Sequence, residues 1–170
     1  MLFRSLVGHI DLGCIWAYGN SIVAPWSEQF YIGGANSIRA FTLRSIGPGA
    51  YYPTASTSSY LDQTGDVKFL ANLEYRPRLF GNLYGAIFLD AGNVWTLHDR
   101  SDHPGGQFKL KNLPQQMALG TGVGLRYNLD FFVIRVDWGI GLHLPYKSGF
   151  YNLPNFGSSQ SLHFAIGMPF

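Results

Sequence analysis

Apolar and polar side chains alternate with a period of two in six segments of the chain. In residues 5–16, SLVGHIDLGCIW, Leu6, Gly8, Ile10, Leu12, Cys14 and Trp16 share one face, and Ser5, Val7, His9, Asp11 and Gly13 share the other. In residues 67–79, Val67, Phe69, Ala71, Leu73 and Tyr75 alternate with Lys68, Leu70, Asn72, Glu74 and Arg76. Residues 83–95 are apolar on both faces, with Leu83, Ile87, Leu89 and Ala91 opposite Asp90 and Gly92. Residues 117–129 set Met117, Leu119, Val123, Leu125 and Tyr127 against Gly120, Gly122, Gly124, Arg126 and Asn128. Residues 131–142 set Phe132, Ile134, Val136, Trp138, Ile140 and Leu142 against Arg135, Asp137, Gly139 and Gly141. The last segment, 161–170, lines up Leu162, Phe164, Ile166, Met168 and Phe170. The pattern predicts an all-β protein of about six antiparallel strands, each near the ~9–11 residues that cross a bilayer at a tilt.

Alternation alone leaves two architectures open. In a transmembrane β-barrel the apolar face meets lipid and the polar face meets the lumen. In a soluble β-sandwich the apolar face meets a second sheet and the polar face meets water. No charge falls on the apolar face of the core strands, where a Lys or Arg at mid-depth costs ~2–4 kcal/mol in a barrel. Connection lengths run long (about 18–66), short (about 80–82), long (about 96–116), short (near 130) and long (about 143–160). Outer-membrane barrels show this asymmetry, with short periplasmic turns and longer outer loops. On that orientation Phe170 ends at the periplasmic side.

Composition points the same way. Charged residues are 13%, against about 25% in ordinary soluble domains. Aromatics are 16%, there are 21 glycines, and no apolar run is long enough for a spanning helix. A net charge of +2 gives no reason to expect nucleic acid as a partner, and the single Cys14 excludes an internal disulfide. The residues after Met1 run into a strand pattern without an apolar leader, so the chain is expected to start within a longer protein.

Between the first two strand patterns lies FYIGGANSIRAFTLRSIGPG, Phe30 to Gly49. It combines a glycine pair, large apolar residues and Arg39, and it has no acid. The run from Phe30 through Gly33, Gly34, Ser37 and Arg39 to Phe41, followed by Gly47-Pro48-Gly49, resembles the sixth-loop motif of the BamA/TamA superfamily of outer-membrane assembly factors and bacterial surface antigens. Two further matches follow in order. Ala71-Asn-Leu-Glu74-Tyr-Arg-Pro77 is similar to the family strand with an inward glutamate. Phe88-Leu-Asp90-Ala-Gly-Asn-Val-Trp95 is similar to the next strand. The C-terminus, His163 to Phe170, resembles the terminal signal of outer-membrane proteins, which ends in an aromatic. Two positions depart from the family pattern: Ala40 stands where it has glycine, and Ala165 where the terminal signal often does.

The resemblance implies an open, curved sheet forming the C-terminal part of a barrel of about sixteen strands. It implies that periplasmic POTRA domains and the first strands lie outside these 170 residues. It implies that the segment about 19–66 folds into the lumen and that Arg39 meets Glu74 and Asp90. The pattern agrees independently: both acids fall on the inward face, on strands joined by a tight turn. Phe30, Tyr31 and Phe41 are expected to pack on the inner wall, and the glycines to let the loop reverse. The implied function is insertion, assembly or translocation of other proteins at the bacterial outer membrane, without a cofactor. The implied partners are membrane lipid, client outer-membrane proteins and further assembly components. The last strand is then a weak seam, open to a client strand, with Met168 and Phe170 completing its signal. A passive porin-like barrel and a soluble binding module remain alternatives.

Other clusters carry less. His98, Asp99, Asp102 and His103 form a polar loop run rather than a metal site. Gly120 to Gly124, GTGVG, opens no helix and lacks the lysine of a phosphate loop. The hydroxyls of Ser56, Thr57, Ser58 and Ser59 read as open loop. No nucleophile–base pair stands out, so no catalytic site is expected.

Overall fold

A computed structural model describes residues 4–21, 23–53, 63–149, 151–153 and 156–170. The hydroxyl run 56–59 lies outside them. Six strands form one sheet in sequence order: β1 (Arg4–Cys14), β2 (Val67–Phe80), β3 (Leu83–Trp95), β4 (Ala118–Asn128), β5 (Val133–His143) and β6 (Gln160–Ile166). Every neighbouring pair is antiparallel. A single helical turn, α1 (Leu113–Gln116), precedes β4.

Local chemistry sets the two short turns. Gly81 and Asn82 join β2 to β3, and Gly81 takes a left-handed φ of 51°. Between β4 and β5, Asp130 takes a φ of 68°, and its N–H donates to the Asn128 side chain at 2.9 Å. Such a side-chain bond is how Asn and Asp stabilise tight turns.

The distribution of burial separates the two candidate architectures. Leu12 is 68% exposed, Ile87 55% and Phe164 68%, all on the apolar face. Glu74, Asp90, Arg126 and Asp137 are fully buried on the polar face. A soluble sandwich requires the opposite. Apolar groups left open outside and charges sealed inside fit an open sheet from a transmembrane barrel, with lipid taking the place of a second layer. No helix among the described residues is long and apolar enough to cross a membrane, which says nothing of crossing by strands.

The inner face is covered by the chain's own long connection. Ile32, Ile38, Ala40, Phe41 and Ile46 pack with Leu70, Val94, Ala118, Leu144 and Leu153 of the wall and neighbouring loops. A fully buried Ile or Phe contributes about 1.5–3 kcal/mol, so this apolar seam is a major part of what holds the loop inside.

Strand ends differ from the pattern. β1 stops at Cys14 rather than Trp16, and β5 starts at Val133 rather than Phe131. The larger difference is at the C-terminus. β6 ends at Ile166, and Gly167 takes a φ of 99° while its N–H bonds the Val133 carbonyl. This left-handed residue breaks the alternation. Phe170 therefore does not join the outward row of Leu162, Phe164 and Ile166. Its ring stacks on His9 of the inward face at 5.2 Å, and Met168 lines a cavity at the turn end of that face.

The outward row generates a test. Leu89→Arg places a charge on the exposed face of β3, away from the ion pairs inside. It should destabilise the bilayer-inserted protein by about 2–4 kcal/mol, read from denaturant titration in lipid vesicles. Unchanged stability of Leu89→Arg would reverse the assignment of faces.

Candidate functional site

The site begins with the closed neck of the long connection. Phe30 and Gly65 exchange both backbone hydrogen bonds at 2.9 Å. Gln29, Thr64 and Asp66 lock this neck: Gln29 Nε2 donates to Asp66 Oδ1 at 2.9 Å, and Thr64 Oγ1 donates to Gln29 Oε1 at 2.7 Å. The Phe30 ring lies over Gly13 of β1, in space that a Cβ would fill.

From the neck the chain makes a compact excursion over residues 32–44. Arg44 N–H bonds the Ile32 carbonyl at 3.0 Å, and Gly34 N–H bonds the Phe41 carbonyl at 2.8 Å. Gly33 has a φ of 101°, and a Cβ there would strike the Thr42 carbonyl. Both its conformation and its space therefore require glycine. Ser37 Oγ accepts from the Gly33 N–H at 3.2 Å and finishes the turn. Arg39 sits at the inner end of this excursion.

Arg39 is completely buried, and every side of its guanidinium is occupied. Its Nε and Nη2 donate to Asp90 Oδ2 and Oδ1 at 2.9 and 2.8 Å, a two-pronged contact. Its Nη1 pairs with Glu74, and its own backbone N–H donates to Asp90 Oδ2 at 3.0 Å. One face of the cation lies 3.7 Å from the centre of the Phe88 ring. Burial opposes its charge, but the bonds to Asp90 and Glu74 outweigh burial and hold its pKa above the ordinary arginine value.

The register explains the meeting of the acids. Asn72 faces Asp90 across β2 and β3, and Glu74 faces Phe88. The two acids are thus diagonal neighbours, with Phe88 beside Glu74 as the floor. Asn72 Nδ2 bridges Asp90 Oδ1 and the Ser37 carbonyl, both at 2.8 Å.

The ion pairs continue across the wall. Glu74 also accepts from Arg76 at 2.6 Å and from Arg126 at 3.2 Å. Arg126 pairs with Asp137, which pairs with Arg135 at 3.2 Å. Arg135 returns to the loop, donating to the Ala35 carbonyl at 2.9 Å and pairing with the Asn36 side chain. The excursion is therefore held at two points, Arg39 and Ala35–Asn36, by one chain of charges across β2 to β5. Sequence reading placed Arg76, Arg126, Arg135 and Asp137 on the inward face but assigned them no partners.

The second half of the motif is anchored by Asn93. Its Nδ2 donates to the Gly49 carbonyl at 2.9 Å and to the Gln116 carbonyl, while Gly49 N–H bonds the Val94 carbonyl at 2.7 Å. Gly47 and Pro48, joined by a cis peptide, are buried beside it. Asn93 lies within the strand signature, yet nothing in the sequence marks it as an anchor; a buried amide facing a loop carbonyl has no periodic signal of its own.

One expectation changes, and one departure from the family pattern is explained. Tyr31 does not pack on the wall: it is 42% exposed, with the Arg44 guanidinium 4.5 Å from its ring centre. Ala40, the departure from the family glycine, is not among the residues with positive φ. Its methyl fills the space above Gly120, where a Cβ would collide with it. Phe41 is buried as expected, against Gly141.

The polar run 98–103 is tied up locally. Arg100 draws the Asp102 carboxyl down to about 2 against the small opposing effect of burial, and His103 adds to the lowering. His98 packs edge-on to Trp16. Among the described residues no group of three His, Cys, Asp or Glu is placed to hold a metal ion.

A curved antiparallel sheet with an apolar outer face and its own loop latched inside by a buried arginine defines a segment of a lumen-plugged transmembrane barrel. The Omp85 superfamily domain matches residues 2–170, and the chain belongs to that superfamily. It is 32% identical over 126 residues to Sorting and assembly machinery component 50 homolog A of Xenopus laevis, covering 72% of this chain and 26% of that protein. It is 30% identical over 105 residues to Sorting and assembly machinery component 50 homolog of Homo sapiens, covering 59% of this chain and 21% of that protein. The chain thus spans about a quarter of the length of the curated relatives it matches. Among solved structures, CdiB from Acinetobacter baumannii matches with a TM-score of 0.49 at 20% identity, over 97% of this chain and 26% of that one.

Two substitutions separate the parts of the latch. Glu74→Gln removes one carboxylate from a fully buried set and should destabilise the docked loop by about 3–5 kcal/mol. Gly139→Val puts a side chain where the Arg39 carbonyl lies against β5 and should undock the loop while leaving every ion-pairing group in place. Limited proteolysis of the full-length protein in detergent reads both: cleavage within 31–45 should appear in each variant and be absent in the parent.

Proposed function

We propose that this chain is the C-terminal barrel portion of a BamA/TamA-type factor that assists insertion, assembly or translocation of other proteins at the bacterial outer membrane. The observation that carries the reading is the fully buried Arg39, held between Glu74 and Asp90 inside a sheet whose outer face is apolar. Membership of the Omp85 superfamily supports it, as do relatives named as components of a sorting and assembly machinery. In this reading Arg39, Glu74 and Asp90 are the latch. Phe30, Gly33, Gly34, Ser37, Phe41 and Gly47-Pro48-Gly49 shape the loop that the latch holds. The outward apolar rows meet membrane lipid, and client outer-membrane proteins are the substrates.

The chemistry is mechanical rather than covalent. A docked loop presents a fixed inner surface and keeps strands β2 to β5 in register. Undocking it removes the Arg39 guanidinium from between Glu74 and Asp90 and leaves the wall with three carboxylates and three guanidinium groups. The latch therefore sets how readily the barrel wall deforms, which is what an assembly factor must do to admit another strand.

Arg39→Ala in the full-length protein should lower client assembly severalfold while the protein itself still reaches the membrane. Arg39→Lys should fail to restore it, because an ammonium cannot make the two-pronged contact with Asp90. Client yield, followed by heat-modifiable gel mobility, is the measurement. Unchanged client yield with altered single-channel conductance would instead assign the loop to a passive pore.

A further inference from the structure

Among the described residues the ion-pair network of the inward face is not charge-balanced. Arg39, Arg76, Arg126 and Arg135 face Glu74, Asp90 and Asp137, four cations against three anions. The surplus is buried, where an uncompensated charge is costly. It also leaves donors over: Arg76 Nη2, Arg126 Nε and Arg135 Nε are buried and have no hydrogen-bond partner among the described residues, and the first two belong to residues that share a cavity. Arg126 is fully buried, and its two terminal nitrogens are already taken by Glu74 and Asp137.

Arg76 and Arg126 share a cavity of about 190 Å³ at the turn end of the inward face. Ser5 faces Arg76 across β1 and β2, and Tyr84 faces Arg126 across β3 and β4. Both line the cavity, as does Asn128, and Met168 bounds it from the segment after β6. The donors thus come from four strands rather than from one plane. Guanidinium groups and hydroxyls arranged in this way suit a tetrahedral oxyanion better than a planar carboxylate. The volume falls below the roughly 300 Å³ where pockets for organic ligands begin, and it admits one small group.

We propose that this cavity is an oxyanion site that takes a single phosphate group, neutralising the surplus charge beside Glu74 and giving Arg76 and Arg126 their missing partners. The site adjoins the latch through Glu74 and lies one layer nearer the short turns. The phosphate can come from free ion or from a phospholipid headgroup.

The test uses inorganic phosphate titrated into the full-length protein in uncharged detergent at constant ionic strength, followed calorimetrically. One-to-one saturable binding is expected. Arg76→Gln should weaken it by roughly tenfold or more, the loss of a charged donor. Tyr84→Phe should weaken it by a few fold, and this variant touches none of the ion pairs that hold the loop. Short-chain phosphatidylglycerol competes with phosphate if a headgroup enters the site, and leaves binding unchanged if only the free ion does. Either outcome supports an oxyanion site and identifies its source. Absence of saturable binding, or the same affinity in both variants as in the parent, overturns it.

Discussion

One guanidinium placed between two carboxylates on adjacent strands is the interaction on which the arrangement depends. Glu74 and Asp90 are diagonal neighbours in a buried wall, where two like charges repel. A cation between them turns that repulsion into attraction. Arg39 can fill this role because its planar fork engages Asp90 with two nitrogens while a third reaches Glu74. Its position is fixed again by its own backbone N–H on Asp90 and by the Phe88 ring against the guanidinium. The loop is thus tied through main chain and side chain at the same residue.

Charges of this kind do not stabilise a fold by themselves. Taking an ion pair out of water costs about as much as the pairing returns, unless further hydrogen bonds complete both partners. Here they are largely completed: Asn72, Arg76 and Arg126 supply the remaining contacts of the two acids. The apolar seam of Ile32, Ile38, Phe41 and Ile46 supplies the non-specific part of docking, and the charges choose one position for it. The small residues of β4 and β5 make the close approach possible. Gly139 lies under the Arg39 carbonyl, and Gly120 leaves room for the Ala40 methyl. The alanine that departs from the family pattern is therefore accommodated by space in the wall, and it is not among the residues with positive φ.

Two sets of polar residues illustrate what a one-dimensional pattern conveys. Glu74 and Asp90 could be placed near one another from spacing because both fall on the inward face of strands joined by a tight turn, although a one-residue irregularity at Arg78–Phe80 sets the exact register. Arg135 and Asn36 could not. They are far apart in sequence, their strand and loop share no turn, and their contact depends on how deep the excursion reaches. The same holds for Asn93, whose bond to Gly49 appears only when the second half of the loop is laid against β3. Met168 and Phe170 fail for a different reason: one left-handed glycine, Gly167, ends the period of two on which their outward placement rested.

What the amino-acid order determined alone is the set of six strands, the face each side chain takes within their regular spans, and the presence of charges on the inward side of those spans. Those follow from local sterics and a two-residue period, which need no knowledge of the rest of the chain. Whether the apolar face meets lipid or another sheet was not decided there, because alternation is the same in both. The tertiary structure decided it by covering the polar face with the chain's own loop and leaving the apolar face open. It also decided which inward charges pair, how the excursion is held at two points, and where the terminal aromatic lies. Each of these depends on distances between segments many residues apart, and such distances exist only once the sheet has curved and the loop has entered it.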